Sequence, residues 1–233
     1  MNKPIAIIPA RSGSKRIKNK NLRLFHNKPM IHWTIKKLLN SNLFSQVIVS
    51  TDSKKIAMIS QKCGADVPYI RSKKLSDDFT TTQAVIEDAI YRLKINSKID
   101  NYICCVYPCS PLLDIADLIK AIKLIKKNDC EFVVPISEYS HPIQRAFKLK
   151  NKRIKFNKIS NYIKRTQDHE KYFHDAGQFY LGKTRSWLKR KNIFKYCQCI
   201  EIPNWRAVDI DNENDWIKSE LIFKSLKKFN KHD

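Results

Sequence analysis

The stretch that decides the fold is Ile5-Ala6-Ile7-Ile8-Pro9-Ala10-Arg11-Ser12-Gly13-Ser14-Lys15-Arg16-Ile17-Lys18-Asn19-Lys20-Asn21. Its β-branched apolar opening reads as a buried strand, which empties into a loop of small residues and cations before a helical pattern begins near Met30. Ligands of open α/β sheets bind at the carboxyl ends of strands, where such a loop emerges, so the stretch is a seat for a polyanion. The chain has only 4 glycines, and Gly13, between Ser12 and Ser14, lets backbone N–H groups approach a ligand closely. Arg11, Lys15, Arg16, Lys18 and Lys20 surround it with charge. The spacing fits neither the G-x-x-x-x-G-K-[ST] phosphate loop nor the G-x-G-x-x-G dinucleotide turn, which excludes both familiar cradles.

Outward from that loop, strand and helix alternate. Met30 to Leu39 puts Ile31, Ile35, Leu38 and Leu39 on one helical face, and Val47-Ile48-Val49 reads as a buried strand. Asp52 or Ser53 caps the next helix, which Cys63-Gly64 ends, and Val67 to Ile70 is short and strand-like. Thr80, Thr81 and Thr82 precede the amphipathic run Ala84 to Leu93; a hydroxyl there caps the helix, and the same end can read a base edge or sugar oxygens. Tyr102 to Val106 is a strand, and Pro108 and Pro111 stiffen the following loop into a pocket wall. Leu118 to Lys126 reads as a helix and Phe132 to Ile136 as a strand. Such alternation without tight hairpin signals predicts an α/β fold, a Rossmann-like, mostly parallel sheet flanked by helices. Residues 137–170 break the pattern, which makes them an arm for dimerisation or a sugar lid on a single domain spanning 1–233.

Two later segments carry chemistry. His174-Asp175 invites a catalytic relay, but neighbours in a strand point to opposite faces, so substrate hydrogen bonding is the better reading of Tyr172 to Gly182. If Val208-Asp209-Ile210-Asp211 is extended, Asp209 and Asp211 share one face and form a clamp for Mg²⁺ once phosphate oxygens complete its shell. The competing reading is that Asp211 or Asn212 only caps the helix carrying Trp216, Ile217, Leu221, Ile222 and Leu226.

Composition sets the outer bounds. With 233 residues and 42% hydrophobic content the chain can bury a normal core, and no apolar run is long enough to span a bilayer. Ile5 to Ile8 is too short for a signal-peptide core, so a cytoplasmic protein is expected. The 7 cysteines lack paired C-x-x-C motifs, and Cys104-Cys105 lies inside an apolar strand, which predicts free thiols. A charge of +23, from 45 Lys and Arg against 22 Asp and Glu, makes a basic nucleic-acid-binding protein the rival class. The distribution argues against it: Lys36-Lys37, Lys54-Lys55, Lys73-Lys74 and Lys126-Lys127 are spread over helices, and only Lys227-Lys228 with Lys231 looks like a tail. An AT-biased genome would enrich Lys, Asn and Ile equally well.

Several of these motifs occur together, in the same order, in one family. Ile8 to Lys15 with Lys20-Asn21, Val49-Ser50-Thr51-Asp52, Arg71, Asp78 to Thr82 and Val208 to Asp211 resemble the cytidylyltransferases that activate nine-carbon acidic sugars. Leu75 to Thr82, Tyr107-Pro108-Cys109-Ser110-Pro111, Pro142 to Ala146 and His174 to Tyr180 are similar to the pseudaminic acid branch. The sialic acid branch resembles a pattern with Gln at Tyr107 and Arg at His174; CMP-sialate or CMP-legionaminate synthesis is the alternative within the family. The resemblance implies attack of the sugar's anomeric hydroxyl on the α-phosphorus of CTP, with release of pyrophosphate, in a homodimer serving flagellin or surface-glycan modification. It also implies roles. Arg11, Lys15, Lys20 and Asp211 would be catalytic, while Ala10, Arg11, Ser12, Gly13, Asn21, Arg71, Thr80 and Thr82 would bind the nucleotide. Tyr107, Ser110, Gln144, Arg145, His174 and Gln178 would meet the sugar, and Asp209 and Asp211 would hold Mg²⁺.

Overall fold

The computed structural model describes residues 3–96, 102–127, 130–156 and 158–229; Lys231 of the basic ending lies outside them. The chain runs β1 (Ile5–Pro9), β2 (Leu24–Phe25), β3 (Lys28–Pro29), α1 (Met30–Asn40), β4 (Gln46–Ser50), α2 (Lys54–Lys62), α3 (Thr82–Arg92), β5 (Tyr102–Val106) and α4 (Ile115–Lys127). It continues through β6 (Phe132–Glu138), the hairpin of β7 (Phe147–Lys150) and β8 (Arg153–Phe156), α5 (Ser160–Ile163), β9 (Phe173–Asp175), β10 (Phe179–Lys183), α6 (Thr184–Leu188), β11 (Cys197–Glu201) and α7 (Glu213–Phe229).

The central sheet has the order β11-β6-β10-β5-β1-β4, with β9 also paired to β6. β1 is parallel to β4 and β5, β11 is parallel to β6, and β10 is antiparallel to both β5 and β6. β4, β1, β5, β6 and β11 therefore run one way, and β10 runs against them. The mostly parallel sheet expected from the sequence is present, with the short β9 antiparallel to β6 and β10 reversed inside it. That reversal matters for the site, because the chain entering β10 lies at the carboxyl ends of β1 and β5.

Side-chain alternation in the strands builds two cores. Ala6, Ile8, Val49, Cys104 and Val106 face Ile31, Ile35 and Leu118 on one side, while Ile7, Ile103, Cys105 and Phe132 face Ile86, Ile90 and Trp187 on the other. No disulfide joins the described cysteines. A third cluster, Ile17, Phe25, Met30, Leu112, Ile210, Trp216 and Phe223, ties the first loop, the loop after β5 and α7 together.

Three local expectations need correction. Val67 to Ile70 forms no strand: only isolated bridges, Ile48 to Asp66 and Thr51 to Ile70, touch the edge of β4. The helix read from Leu118 begins at Ile115, where Asp114 accepts from the Ala116 N–H at 2.9 Å. Val208 to Asp211 has no ladder partner either; burial of Ile210 in the third cluster enforces its alternation instead. Among the described residues no helix is long and apolar enough to cross a membrane.

Candidate active site

At the carboxyl ends of β1 and β5 lies a cleft of about 600 Å³ lined by Arg11, Gly13, Lys15, Arg16, Lys20 and Asn21 on one side. Arg71, Thr80, Thr82 and Tyr107 line a second part, and Asp175, Gly177, Tyr180, Asp209 and Asp211 a third.

The first loop is held from behind. Ala10 is fully buried and its N–H donates to the Ser50 carbonyl at 2.9 Å. Ser12 donates its N–H to Asp52 at 2.8 Å and its hydroxyl at 2.5 Å, so Asp52 anchors the loop while Ser53 Oγ accepts from the Ile56 N–H as helix cap. Buried Asn21 donates to the Arg11 carbonyl at 2.9 Å and accepts from the Cys109 thiol. Ala10 and Ser12 thus shape the loop without lining the cleft. At Gly13 an added Cβ would meet nothing within 4 Å: the space in front of it is cleft, not protein.

The cations of the loop sit against carboxylates. Asp78 bridges Arg11, at 2.8 Å, and Lys15, and the Lys15 hydrogen bond is the first cause of an acid constant below the ordinary carboxylate range. Asp211 accepts from Arg16 at 2.8 Å and from Lys20 at 3.5 Å. Arg16, to which the resemblance gives no role, therefore belongs to the cleft, and Lys18 does not line it.

In the second part, Arg71 is 3% exposed, donating to the Ser50 carbonyl at 3.2 Å and to Ser76 Oγ at 3.0 Å, and burial lowers its pKa. Thr81 is the helix cap, accepting from the Ala84 N–H. That leaves Thr80 to Asp77 and puts Thr82 Oγ1 3.0 Å from the Tyr107 hydroxyl. Burial pushes the Tyr107 phenol up to about 12, so it stays protonated at neutral pH. The Tyr180 hydroxyl donates to the Asp175 carboxylate, whose other oxygen accepts the Gly177 N–H at 3.0 Å.

Gly177 has φ +62°, and a Cβ there would lie 3.6 Å from the Asp209 side chain, so the turn and Asp209 pack together. Asp209 lines the cleft. Desolvation raises its pKa, and the neighbouring negative charge of Asp211 adds to the effect. Asn212, not Asp211, caps α7: Asn212 Oδ1 accepts from the Asp215 N–H at 3.1 Å while Asp215 accepts from Asp211 and Asn212. The Asp211 carboxylate is thus not used in the cap, and its two oxygens meet the cleft cations Arg16 and Lys20.

The remaining predicted sugar residues lie elsewhere. Ser110 is buried behind the loop, its N–H on Thr34 Oγ1. Gln178 is 2% exposed and donates to the Arg206 carbonyl at 2.6 Å. Gln144 donates to the Glu170 carbonyl at 2.8 Å, and Arg145 to Thr166 Oγ1 at 2.9 Å and to the carbonyls of Tyr162 and Lys164, inside the 137–170 excursion. His174 packs on Tyr139, with ring centroids 4.9 Å apart, while Asp175 turns to Tyr180, so the two form no relay.

Residues 5–231 match the family described as cytidylyltransferase. The chain belongs to the cytidylyltransferase family. It is an enzyme, a nucleotidyltransferase that uses CTP. A pseudaminic acid cytidylyltransferase of Campylobacter jejuni is 38% identical over 224 residues, 95% of this chain and 97% of the relative. An N-acylneuraminate cytidylyltransferase of Escherichia coli is 31% identical, covering 92% of this chain and 50% of its own. A CMP:2-keto-3-deoxy-manno-octonic acid synthetase complexed with CTP has a TM-score of 0.70 over 96% of this chain and 99% of that one; at 14% identity the likeness is one of fold.

Within this cytidylyltransferase, Arg16, Asp175, Gly177 and Tyr180 are cleft residues that carry no site role in the sequence reading, although they lie in stretches singled out there. The signal for Asp175 and Gly177 was the glycine-bounded polar segment itself; its place in the cleft depends on β10 running backwards. Asp209 and Asp211 fit a hard divalent cation. Both are oxygen ligands, and a bound cation would offset the desolvation that chiefly raises Asp209 together with the added repulsion from Asp211.

Proposed function

We propose that this enzyme couples CTP to pseudaminic acid, giving CMP-pseudaminate and pyrophosphate. The observation that carries the reading is that Arg11, Lys15 and Lys20 line one cleft together with Asp209 and Asp211; the choice of sugar draws on the 38% identical relative. In this reading the triphosphate lies along Gly13 and the cations, which neutralise the departing pyrophosphate. The cytosine enters beside Arg71 and Thr80. Thr82, Tyr107, Tyr180 and Asp175 form the wall that orients the sugar, with Tyr107 a permanent donor. Asp209 and Asp211 would hold Mg²⁺, which neutralises phosphate charge and lowers the pKa of a neighbouring hydroxyl. Positioning and charge neutralisation supply most of such a phosphoryl transfer, so the chain needs no covalent nucleophile.

The excursion 137–170 is the arm of a homodimer in this reading. In the β7–β8 register Phe147 opposes Phe156 and Leu149 opposes Ile154, so the four side chains share one face, and all are exposed. CTP as substrate puts the enzyme in the cytoplasm.

A second reading, with a different nonulosonic acid as substrate, is favoured by the 31% identical N-acylneuraminate relative. Pyrophosphate release from CTP and Mg²⁺ is to be measured with pseudaminic, N-acetylneuraminic and legionaminic acids. Release fastest with pseudaminic acid is expected. Preference for either other sugar would transfer the assignment to it, and no release with any would refute the coupling reaction.

A further inference from the structure

The cleft's phosphate seat is already filled by an anion of the protein's own. Asp77 accepts from the Thr80 N–H at 2.7 Å, the Thr80 hydroxyl at 2.6 Å and the Phe79 N–H at 3.1 Å, locking 77–80 into a tight turn. That turn presents Asp78 to the first loop. Its two oxygens take Arg11 and Lys15, while Arg11 also donates to the Asp77 carbonyl at 2.6 Å. A carboxylate shared by a guanidinium and an ammonium reproduces how those groups would hold a phosphate. Arg11 and Asp78 are 39% and 36% exposed and Lys15 is 81% exposed, so the bridge is wet and cheap to break. A ligand carrying several phosphate charges outcompetes a single carboxylate; one carrying a single phosphate does so poorly.

From this we infer that Asp78 is an exchangeable counter-anion, a positioning residue that holds Arg11 and Lys15 in the empty cleft, yields them to a triphosphate, and takes them back once pyrophosphate has left. It thereby weakens the hold on any anion that must displace it and helps to clear pyrophosphate. The inference rests on the proposed CTP reading of the cleft, and deepens it.

The test is calorimetric binding of CTP, inorganic pyrophosphate, CMP and cytidine to the wild-type protein, Asp78→Asn and Asp78→Glu. Asp78→Asn should bind CTP and pyrophosphate about threefold to tenfold tighter than wild type, the range expected for removing two competing exposed ion pairs. CMP should gain no more than CTP, cytidine should be unchanged, and Asp78→Glu should restore wild-type values. Equal or weaker pyrophosphate binding by Asp78→Asn overturns the inference, as does a change in cytidine affinity parallel to that of CTP, which would mark a structural role for the turn. If the wild type binds pyrophosphate but not CTP, the nucleotide reading fails while the exchange is still judged on pyrophosphate. Binding of neither overturns both.

Discussion

Gly13 shows how far one residue can be read. Its scarcity and serine neighbours marked it in the sequence as a point of close backbone approach, and the fold leaves open cleft where its Cβ would stand. The packing of the protein itself makes no demand for glycine there, and in the proposed reading the space is taken by the triphosphate. Gly13→Ala should change unfolding free energy by no more than about 0.5 kcal/mol, as surface substitutions do, while its methyl takes room meant for a phosphate oxygen. Thermal unfolding without ligand should be near wild type, and the stabilisation by CTP should need on the order of tenfold more nucleotide, by mass action. Undiminished stabilisation would show that the phosphates run elsewhere. The companion residues were less legible, for a physical reason. Arg16 and Lys18 look alike in sequence, but burial of Ile17 in the third cluster fixes the turn that sends Arg16 to Asp211. That cluster is made of residues distant along the chain.

Elements were legible where one period persists. β1, β4, β5 and the helices α1 and α3 follow from their patterns, because each buries one face or both against its sequence neighbours. The β7–β8 hairpin escaped although Phe-Lys-Leu-Lys and Arg-Ile-Lys-Phe alternate strictly, because its turn is Asn151-Lys152, both at positive φ, with no glycine to mark it. An exposed apolar face on a two-stranded ribbon is a poor end state in water, since Leu149 is 71% exposed and Ile154 51%. The homodimer reading gives that face a cover. Leu149→Asp with Ile154→Asp should leave the monomer's circular dichroism intact and shift light-scattering mass from dimer to monomer. An unchanged dimer would move the interface off the hairpin.

At the scale of the whole molecule, the site depends on contacts no local pattern announces. β10 and β11 enter the sheet only after the excursion, by pairing with β6, and sequence alternation cannot tell a reversed strand from a parallel one. The turn from β9 into the reversed β10 carries Asp175 and Gly177 to the cleft, and its approach is fixed from outside: Gln178 donates to the Arg206 carbonyl, and the buried Arg206 guanidinium pairs with Asp117 of α4 at 2.5 Å. Arg206 and Asp117 are 10% and 2% exposed at their side chains, so this pair is shielded in a way the cleft's wet ion pairs are not. Removing one partner leaves a buried charge, a far larger effect than losing a surface bridge. Asp117→Ala should therefore cost about 3 kcal/mol of unfolding free energy, the lower end for such pairs because Asp114 stays 3.4 Å from Arg206. Urea denaturation measures it, and a loss under about 1 kcal/mol would mean that Asp114 alone suffices. Because Arg206 also seats Gln178 beside Gly177, the folded fraction of Asp117→Ala should show weakened turnover of CTP as well. A stable variant with full turnover would uncouple α4 from the carboxylate side of the cleft.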